Sequence, residues 1–346
     1  PAVLARVTSP APRDAWAEVV AGDPTSMADQ SPAWMDALTQ TSPWTDASRL
    51  YEFDDGRRFV LPLARRSGLL GPLGIEASLP DAWGMGGLTG AGRSTEVIST
   101  VLDDLGRRRD VFTRIRPDPL DAGLWAAPTT ARVVTRSRRA HVLDLRGGEA
   151  SLREGLHKSL RRNLRKAEAA GLDVTCSPEH LPAYYRLFEL SVARWAESSR
   201  EPLALARLRA RRRDPLSKLQ AIADHLGDRF RLWMAWESGA PVAGLIVLQG
   251  NAAHMTRGAM DRDRAHRTRA NALLEWLAIQ EAAEAGGSAY HFGESGTASG
   301  LARFKESFGA RPVDYPDVRV ERLPVTRADQ ALRDGVKRLI GFRDGS

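Results

Sequence analysis

The chain has 346 residues, enough for two compact domains, with 42% hydrophobic and 27% charged residues, a net charge of +7 and a pI near 10.0. That balance favours anionic partners such as RNA, nucleotides or anionic lipid, although an arginine-rich composition can also be a habit of a whole proteome. Cys176 is the single cysteine, which excludes an intramolecular disulfide and argues against a Cys-based metal site. No signal-peptide pattern and no membrane-length apolar run is visible, so a cytoplasmic protein is expected.

SPAWMDAL, from Ser31, reads as a helix start with Trp34 and Leu38 on one face. RLYEFDDGRRFVLPLARR reads as two strands around the Asp55–Gly56 turn. The glycines and prolines of LLGPLGIEASLPDAWGMGGLTG interrupt both periodicities, and an irregular segment is expected. A helix over 93–109 and a strand from Val111 follow. The run from Arg132 to Arg139 leads into HVLDL, at the start of a second domain. The expected ranges are 1–140 and 141–346.

SLREGLHKSLRRNLRKAEAAGLDV, from Ser151, predicts one helix. Ser151 and Glu154 fit a capping box and Gly171 a stop signal. Leu152, Leu156, Leu160 and Leu164 lie on one side, with Lys158, Arg161, Arg162, Arg165 and Lys166 mainly opposite. That cationic face fits either plain solvation or phosphate contact.

A mainly helical section spans roughly 178–227, without long apolar heptads. Beyond it the order is three strands, helix, strand, helix, strand. RFRLWMAWES, PVAGLIVLQG and NAAHMTRGAM are the strands. NALLEWLAIQEAAEAGG is a helix with Leu273, Leu274, Leu277 and Ala278 facing a core. SAYHFGES, LARFKESFG and VDYPDVRVERL complete the series. The loop Arg262–Arg269 places Arg264, Arg267 and Arg269 before a helix N-terminus, where free N–H groups and guanidinium forks suit an anion.

Walker, dinucleotide-binding, zinc-protease and serine-hydrolase signatures are absent. His291, at a strand end beside Glu294, fits local packing or proton chemistry. In FKESFG, Phe304 and Phe308 lie one turn apart and suit a packed face, with Lys305 projecting beside them. An ammonium there fits stabilisation of a reacting carbonyl, or simple exposure between two core aromatics.

Together, KSLRRNLRKAEAAGLDV, GAPVAGLIVL, NALLEWLAIQEAAEAGG, YHFGES and GLARFKESFGARPV resemble the Fem-type branch of the GNAT-fold acyltransferases. The likeness is good over about 140–315 and loose in the first part, through SPAWMDAL and FVLPLARR. It implies an α/β fold of two GNAT-like domains with mixed sheets, an N-terminal substrate domain and a C-terminal transferase domain. It also implies transfer of an amino acid from aminoacyl-tRNA to an amine on a cell-wall precursor, peptide or small metabolite, with no required cofactor. By the same resemblance Lys305 and Phe304 are the catalytic candidates, and Lys158, Arg161, Arg162, Arg165 and Lys166 the phosphate contacts. Trp34, His291 and Glu294 are expected at the active-site wall. Peripheral contact with a membrane-linked precursor fits the same reading. The alternatives are a CoA-dependent N-acyltransferase, using acetyl-CoA or another acyl-CoA, and a non-catalytic RNA- or polyanion-binding protein of the same fold. AHRTRAN lacks the glycines of a CoA diphosphate loop.

Overall fold

The computed structural model describes residues 3–68, 71–126, 132–295 and 299–322. The end of the expected range 141–346, from residue 323 on, lies outside the described residues.

The first half runs β1 (Leu4–Thr8), α1 (Arg13–Gly22), α2 (Pro32–Thr41), β2 (Thr45–Asp46), β3 (Arg49–Phe53), β4 (Arg58–Leu61), β5 (Ala64–Gly68), β6 (Gly71–Ser78), α3 (Thr95–Gly106), β7 (Phe112–Ile115), α4 (Ala122–Ala126) and β8 (Val133–Asp144). The second half adds α5 (Gly148–Gly155), α6 (Lys158–Glu168), β9 (Asp173–Cys176), α7 (Leu181–Ser199), α8 (Leu203–Arg213), α9 (Leu216–Leu226), β10 (Phe230–Glu237), β11 (Ala240–Leu248) and β12 (Ala253–Met260). It closes with α10 (Arg262–Thr268), α11 (Ala270–Glu284), β13 (Ala289–Glu294), α12 (Ser299–Glu306) and β14 (Arg311–Glu321).

A three-stranded sheet, β1-β3-β4, sits beside an eleven-stranded mixed sheet ordered β2-β5-β6-β7-β14-β8-β13-β12-β11-β10-β9. The large sheet contains the same unit twice. A parallel strand pair is joined through a helix as β6–α3–β7, and again as β12–α11–β13. The last strand ties the halves together, since β14 pairs with β7 on one side and β8 on the other. The expected boundary between 140 and 141 falls inside β8.

The arginine run leading into HVLDL is part of this seam. Arg138 reaches Asp317 and Glu294, both at 2.8 Å, and Arg139 reaches Asp314 at 2.7 Å. One core also spans both halves: Trp16, Trp34 and Leu38 pack with Leu187, Ile222 and Phe230.

Several local expectations hold. The Ser31 hydroxyl accepts the Trp34 N–H, Pro32 opens α2, and Trp34 and Leu38 are buried. The Asp55–Gly56 turn joins β3 to β4, with Gly56 at φ 84°. The helical section from 178 to 227 resolves into α7, α8 and α9.

Three expectations are corrected. Gly71–Ser78 is a strand rather than irregular chain, because β5 and β7 supply backbone partners on both sides. The loop expected at 262–269 is mostly helix α10, capped by the Asp261 carboxylate accepting the Arg264 N–H at 3.2 Å.

The helix expected from Ser151 to Gly171 is two helices. Leu156 is extended (φ −67°, ψ 132°), and the His157 N–H donates to the Ser307 carbonyl at 2.9 Å. His157, not Ser151, caps the second helix, its Nδ1 accepting the Ser159 N–H. The tertiary bond to Ser307 replaces an intrahelical one, which local pattern cannot reveal. Leu152, Leu156, Leu160 and Leu164 are nevertheless all buried, in one core with Leu274, Ile279 and Phe308.

Candidate active site

β12 and β13 pair in parallel at Ala253↔Tyr290 and His254↔His291. From there β12 stays with β11 while β13 stays with β8, so the two strands part. A cavity of about 830 Å³ opens where they separate. Met255, Arg257 and Gly258 of β12 line one side, and Phe292, Gly293 and Glu294 of β13 the other. Asn271 and Glu275 enter from α11, Phe304 and Lys305 from α12, and Trp195, Arg194, Arg209 and Arg213 from α7 and α8. Ala82, Gly84 and Met85 bring a loop of the N-terminal half to the wall.

Lys305 is 1% exposed. Phe304 packs edge-on to Phe308 at 5.2 Å between ring centroids, and this contact anchors the helix that carries the lysine. Lys305 Nζ donates to the carbonyls of Gly293 and Glu294, both at 3.0 Å. An ammonium has three N–H bonds, so one is left for the cavity. Burial lowers its pKa to about 8, while Glu275 and Glu294 oppose that shift. It therefore carries its charge at neutral pH.

Glu275 is buried in α11 and accepts the Tyr290 hydroxyl at 2.7 Å. Burial raises its pKa to about 7; the Tyr290 hydrogen bond and Lys305 work against the rise. The folded chain thus holds a proton on Glu275 to near neutrality, whereas an unfolded carboxyl releases it near the ordinary value of 4.5. This contribution to stability is complete below that ordinary value and lost as pH rises through about 7. Glu275→Gln keeps the acceptor and removes the titration. Its stability relative to the parent, followed by thermal unfolding, is expected to rise by about 2 kcal/mol between pH 5 and pH 8.

Of the residues expected at the wall, Glu294 lines the cavity. Its carboxylate accepts the Tyr315 hydroxyl at 2.6 Å and the Arg138 guanidinium at 2.8 Å. Trp34 stands one layer behind, donating its indole N–H to the Trp83 carbonyl at 3.0 Å under the 82–85 loop. His291 is also behind the wall, fully buried, with neither ring nitrogen hydrogen-bonded. Burial lowers its pKa to about 3, which keeps it neutral.

The basic candidates are not brought to the cavity. Lys158, Arg161, Arg162, Arg165 and Lys166 are all exposed on α6, and none is among the lining residues. Arg161 instead donates to the carbonyls of Glu154 (2.8 Å) and Leu156 (3.1 Å), freed by the break between α5 and α6. Arg264 and Arg267 both pair with Glu237, at 3.0 and 2.8 Å. Arg269, at φ 63°, forms the junction of α10 and α11 and does not line the cavity either.

The guanidiniums that do line it come from α7, α8 and β12 and, at Arg116, from the chain just after β7. On one wall Asp214 accepts Lys218 Nζ at 2.9 Å and also binds Arg257. Burial opposes ionisation of Asp214, yet Arg257 and Lys218 hold its pKa below the ordinary value. Glu275, in an otherwise apolar helix stretch, was the local signal for one missed residue; His254 shares its strand with Thr256 and Arg257 and stands out less. A polar residue in such a run marks either a tertiary partner or a site.

No group of His, Cys, Asp or Glu among the described residues is arranged to hold a metal. No helix of the described residues is long and apolar enough to cross a membrane.

Residues 155–306 match the family model described as an acetyltransferase (GNAT) domain. Among solved structures, FemX is similar over 90% of this chain and 97% of its own, with TM-score 0.65 and 13% identity. A conserved Bacteroides thetaiotaomicron protein of unknown function is similar over 90% of this chain and 96% of its own, with TM-score 0.56 and 12% identity. No curated protein matches the chain by sequence. At such identities the structural matches show the fold, and the family match locates the transferase domain around the splayed strands. Residues 155–306 are therefore a GNAT-type acyltransferase domain, set in a chain whose overall fold is similar to that of FemX.

Proposed function

We propose that the chain forms amide bonds by moving an amino acid from aminoacyl-tRNA to an amine on a cell-wall precursor, a peptide or a small metabolite. The observation that carries this reading is the buried Lys305 ammonium at the cavity wall, with one N–H free for the oxygen of a reacting carbonyl. The acceptor amine attacks the ester carbonyl, a tetrahedral oxyanion forms, and the 3′ oxygen of the tRNA leaves. The ester is already activated, so positioning and charge stabilisation suffice, without ATP or metal.

Two further features support a tRNA donor. The segment before α11 is a short helix whose Arg264 and Arg267 are occupied by Glu237, not an open glycine loop for a diphosphate. Arg194 lines the cavity from α7, where the 3′ end of an RNA would find a cation, beside Arg209 and Arg213, which are paired with Glu201 and Asp214. A cytoplasmic setting follows from such a donor. The second reading, a CoA-dependent N-acyltransferase, is favoured by the acetyltransferase description of the matching family model. An open cavity holding a buried lysine speaks against a purely binding role.

Purified chain incubated with charged total tRNA or acetyl-CoA, plus candidate amines, distinguishes the donors by product mass. Transfer abolished by ribonuclease is the expected outcome. Robust transfer from acetyl-CoA with none from charged tRNA would overturn the proposal.

A further inference from the structure

Any such transfer must remove a proton from the acceptor nitrogen; Lys305, as an ammonium, cannot accept it, and Glu275, at the cavity wall, is engaged by the Tyr290 hydroxyl and holds its own proton to near neutrality. His254 stands at the point where β12 and β13 part, and it lines the cavity while being 4% exposed. Its Nδ1 lies 2.9 Å from Asp29 Oδ2. Asp29 is fully buried in the turn before α2 and belongs to the other half of the chain.

The surroundings of Asp29 determine which proton His254 carries. Asp29 Oδ2 also accepts the Met85 N–H at 2.9 Å, and Asp29 Oδ1 has no hydrogen-bond partner. No Lys or Arg pairs with this carboxylate among the described residues; the His254 ring is its side-chain partner. Such an anion requires a donor, so the His254 proton sits on Nδ1 and Nε2 keeps its lone pair. The loop over Asp29 is built for this approach. Gly84 has φ +82°, and a Cβ there would stand 2.2 Å from Asp29 Oδ2.

On the other edge of the ring, Nε2 has no hydrogen-bond partner among the described residues and lies 3.9 Å from where a Cβ on Gly293 would sit. Gly293, at φ +67°, is the residue whose carbonyl accepts Lys305. The lone pair of Nε2 and the free N–H of Lys305 thus flank the same stretch of β13.

We propose that His254 is the general base of the transfer and that Asp29 is its positioning residue. This rests on the amide-forming reading of the cavity. As the acceptor nitrogen bonds to the ester carbonyl carbon, its proton passes to His254 Nε2. The same proton then goes to the departing 3′ oxygen as the carbon–oxygen bond breaks, leaving an amide, a free 3′ hydroxyl and a neutral imidazole. Asp29 stabilises the transient imidazolium and holds the tautomer.

The test uses the full chain, the donor that the parent protein accepts, and two acceptors. One is a strongly basic alkylamine version of the acceptor; the other is hydroxylamine, whose weakly basic nitrogen gives an adduct acidic enough to lose its proton to water without a base. His254→Gln is expected to lose at least about 10²-fold in kcat with the alkylamine, with KM little changed, and much less with hydroxylamine. Asp29→Asn is expected to show the same asymmetry more weakly. Melting temperatures identify any variant that fails to fold, and His254→Gln, which can still donate to Asp29, is the safer of the two. Equal losses with both acceptors, or no loss, in folded His254→Gln would overturn the assignment while leaving the transferase reading intact. A parent protein inert with both charged tRNA and acyl-CoA would overturn that reading and the base together.

Discussion

Lys305→Met is expected to lower acyl transfer by about 10²- to 10³-fold, the range seen when one donor to a developing oxyanion is removed. The loss should fall on kcat more than on KM, because the interaction reaches full strength only when the carbonyl oxygen becomes negative. Methionine fills most of the lysine's volume, so Phe304 and Phe308 should keep their packing. The carbonyls of Gly293 and Glu294 each lose a donor, which makes a modest fall in melting temperature part of the expectation. Turnover per folded molecule, corrected by circular dichroism, is the measurement. Unchanged turnover would remove Lys305 from the reaction.

The second large effect is on stability. Asp214→Ala is expected to destabilise the chain by about 3 kcal/mol, the lower end for breaking a buried ion pair from one side. The substitution leaves Lys218, which is 3% exposed, and Arg257 without their carboxylate. Lys218 has a partial escape: burial already lowers its pKa to about 8, so it can shed its proton near neutral pH. Arg257 has none. Lys218 also donates to the Ala82 carbonyl at 2.8 Å and stands 4.2 Å from the centre of the Trp83 ring. The triad therefore joins the cavity-lining end of α8 to the 82–85 loop. Denaturant unfolding of Asp214→Ala, and of the same variant with Lys218→Met, checks this. The double variant should recover part of the loss. A loss below 1 kcal/mol in the single variant would contradict the account.

Much of the fold was legible from residues alone. Ser31–Pro32 before Trp34 and Leu38 carries the start of α2, and the alternation around Asp55–Gly56 carries a hairpin. Phe304 and Phe308, one turn apart, carry the helix that presents Lys305. Each of these rests on contacts within a few residues. What failed depended on distant partners. The break at Leu156–His157 is set by Ser307, and the strand Gly71–Ser78 by β5 and β7.

The site followed the same division. Lys305, Phe304 and Glu294 meet at the cavity as a local pattern plus resemblance suggested. The cationic face of α6 did not, because its periodicity specifies which side is outward and not what that side meets. His254 and Asp29 are 225 residues apart, and the bridge of Met27 to Ala252, with Asn251 donating to the Asp23 carbonyl, brings their segments together.

The central claim is that transfer takes place between the parted ends of β12 and β13. Gly258 tests it most directly. It lines the cavity, and a Cβ added there would meet nothing closer than 3.9 Å, so a large side chain enters the cavity rather than the core. Gly258→Phe, assayed for transfer from charged tRNA to an amine alongside its melting temperature, is predicted to lose transfer by at least about 10²-fold, the cost of a misplaced substrate, with the melting temperature held. Full transfer by a folded Gly258→Phe would contradict the account.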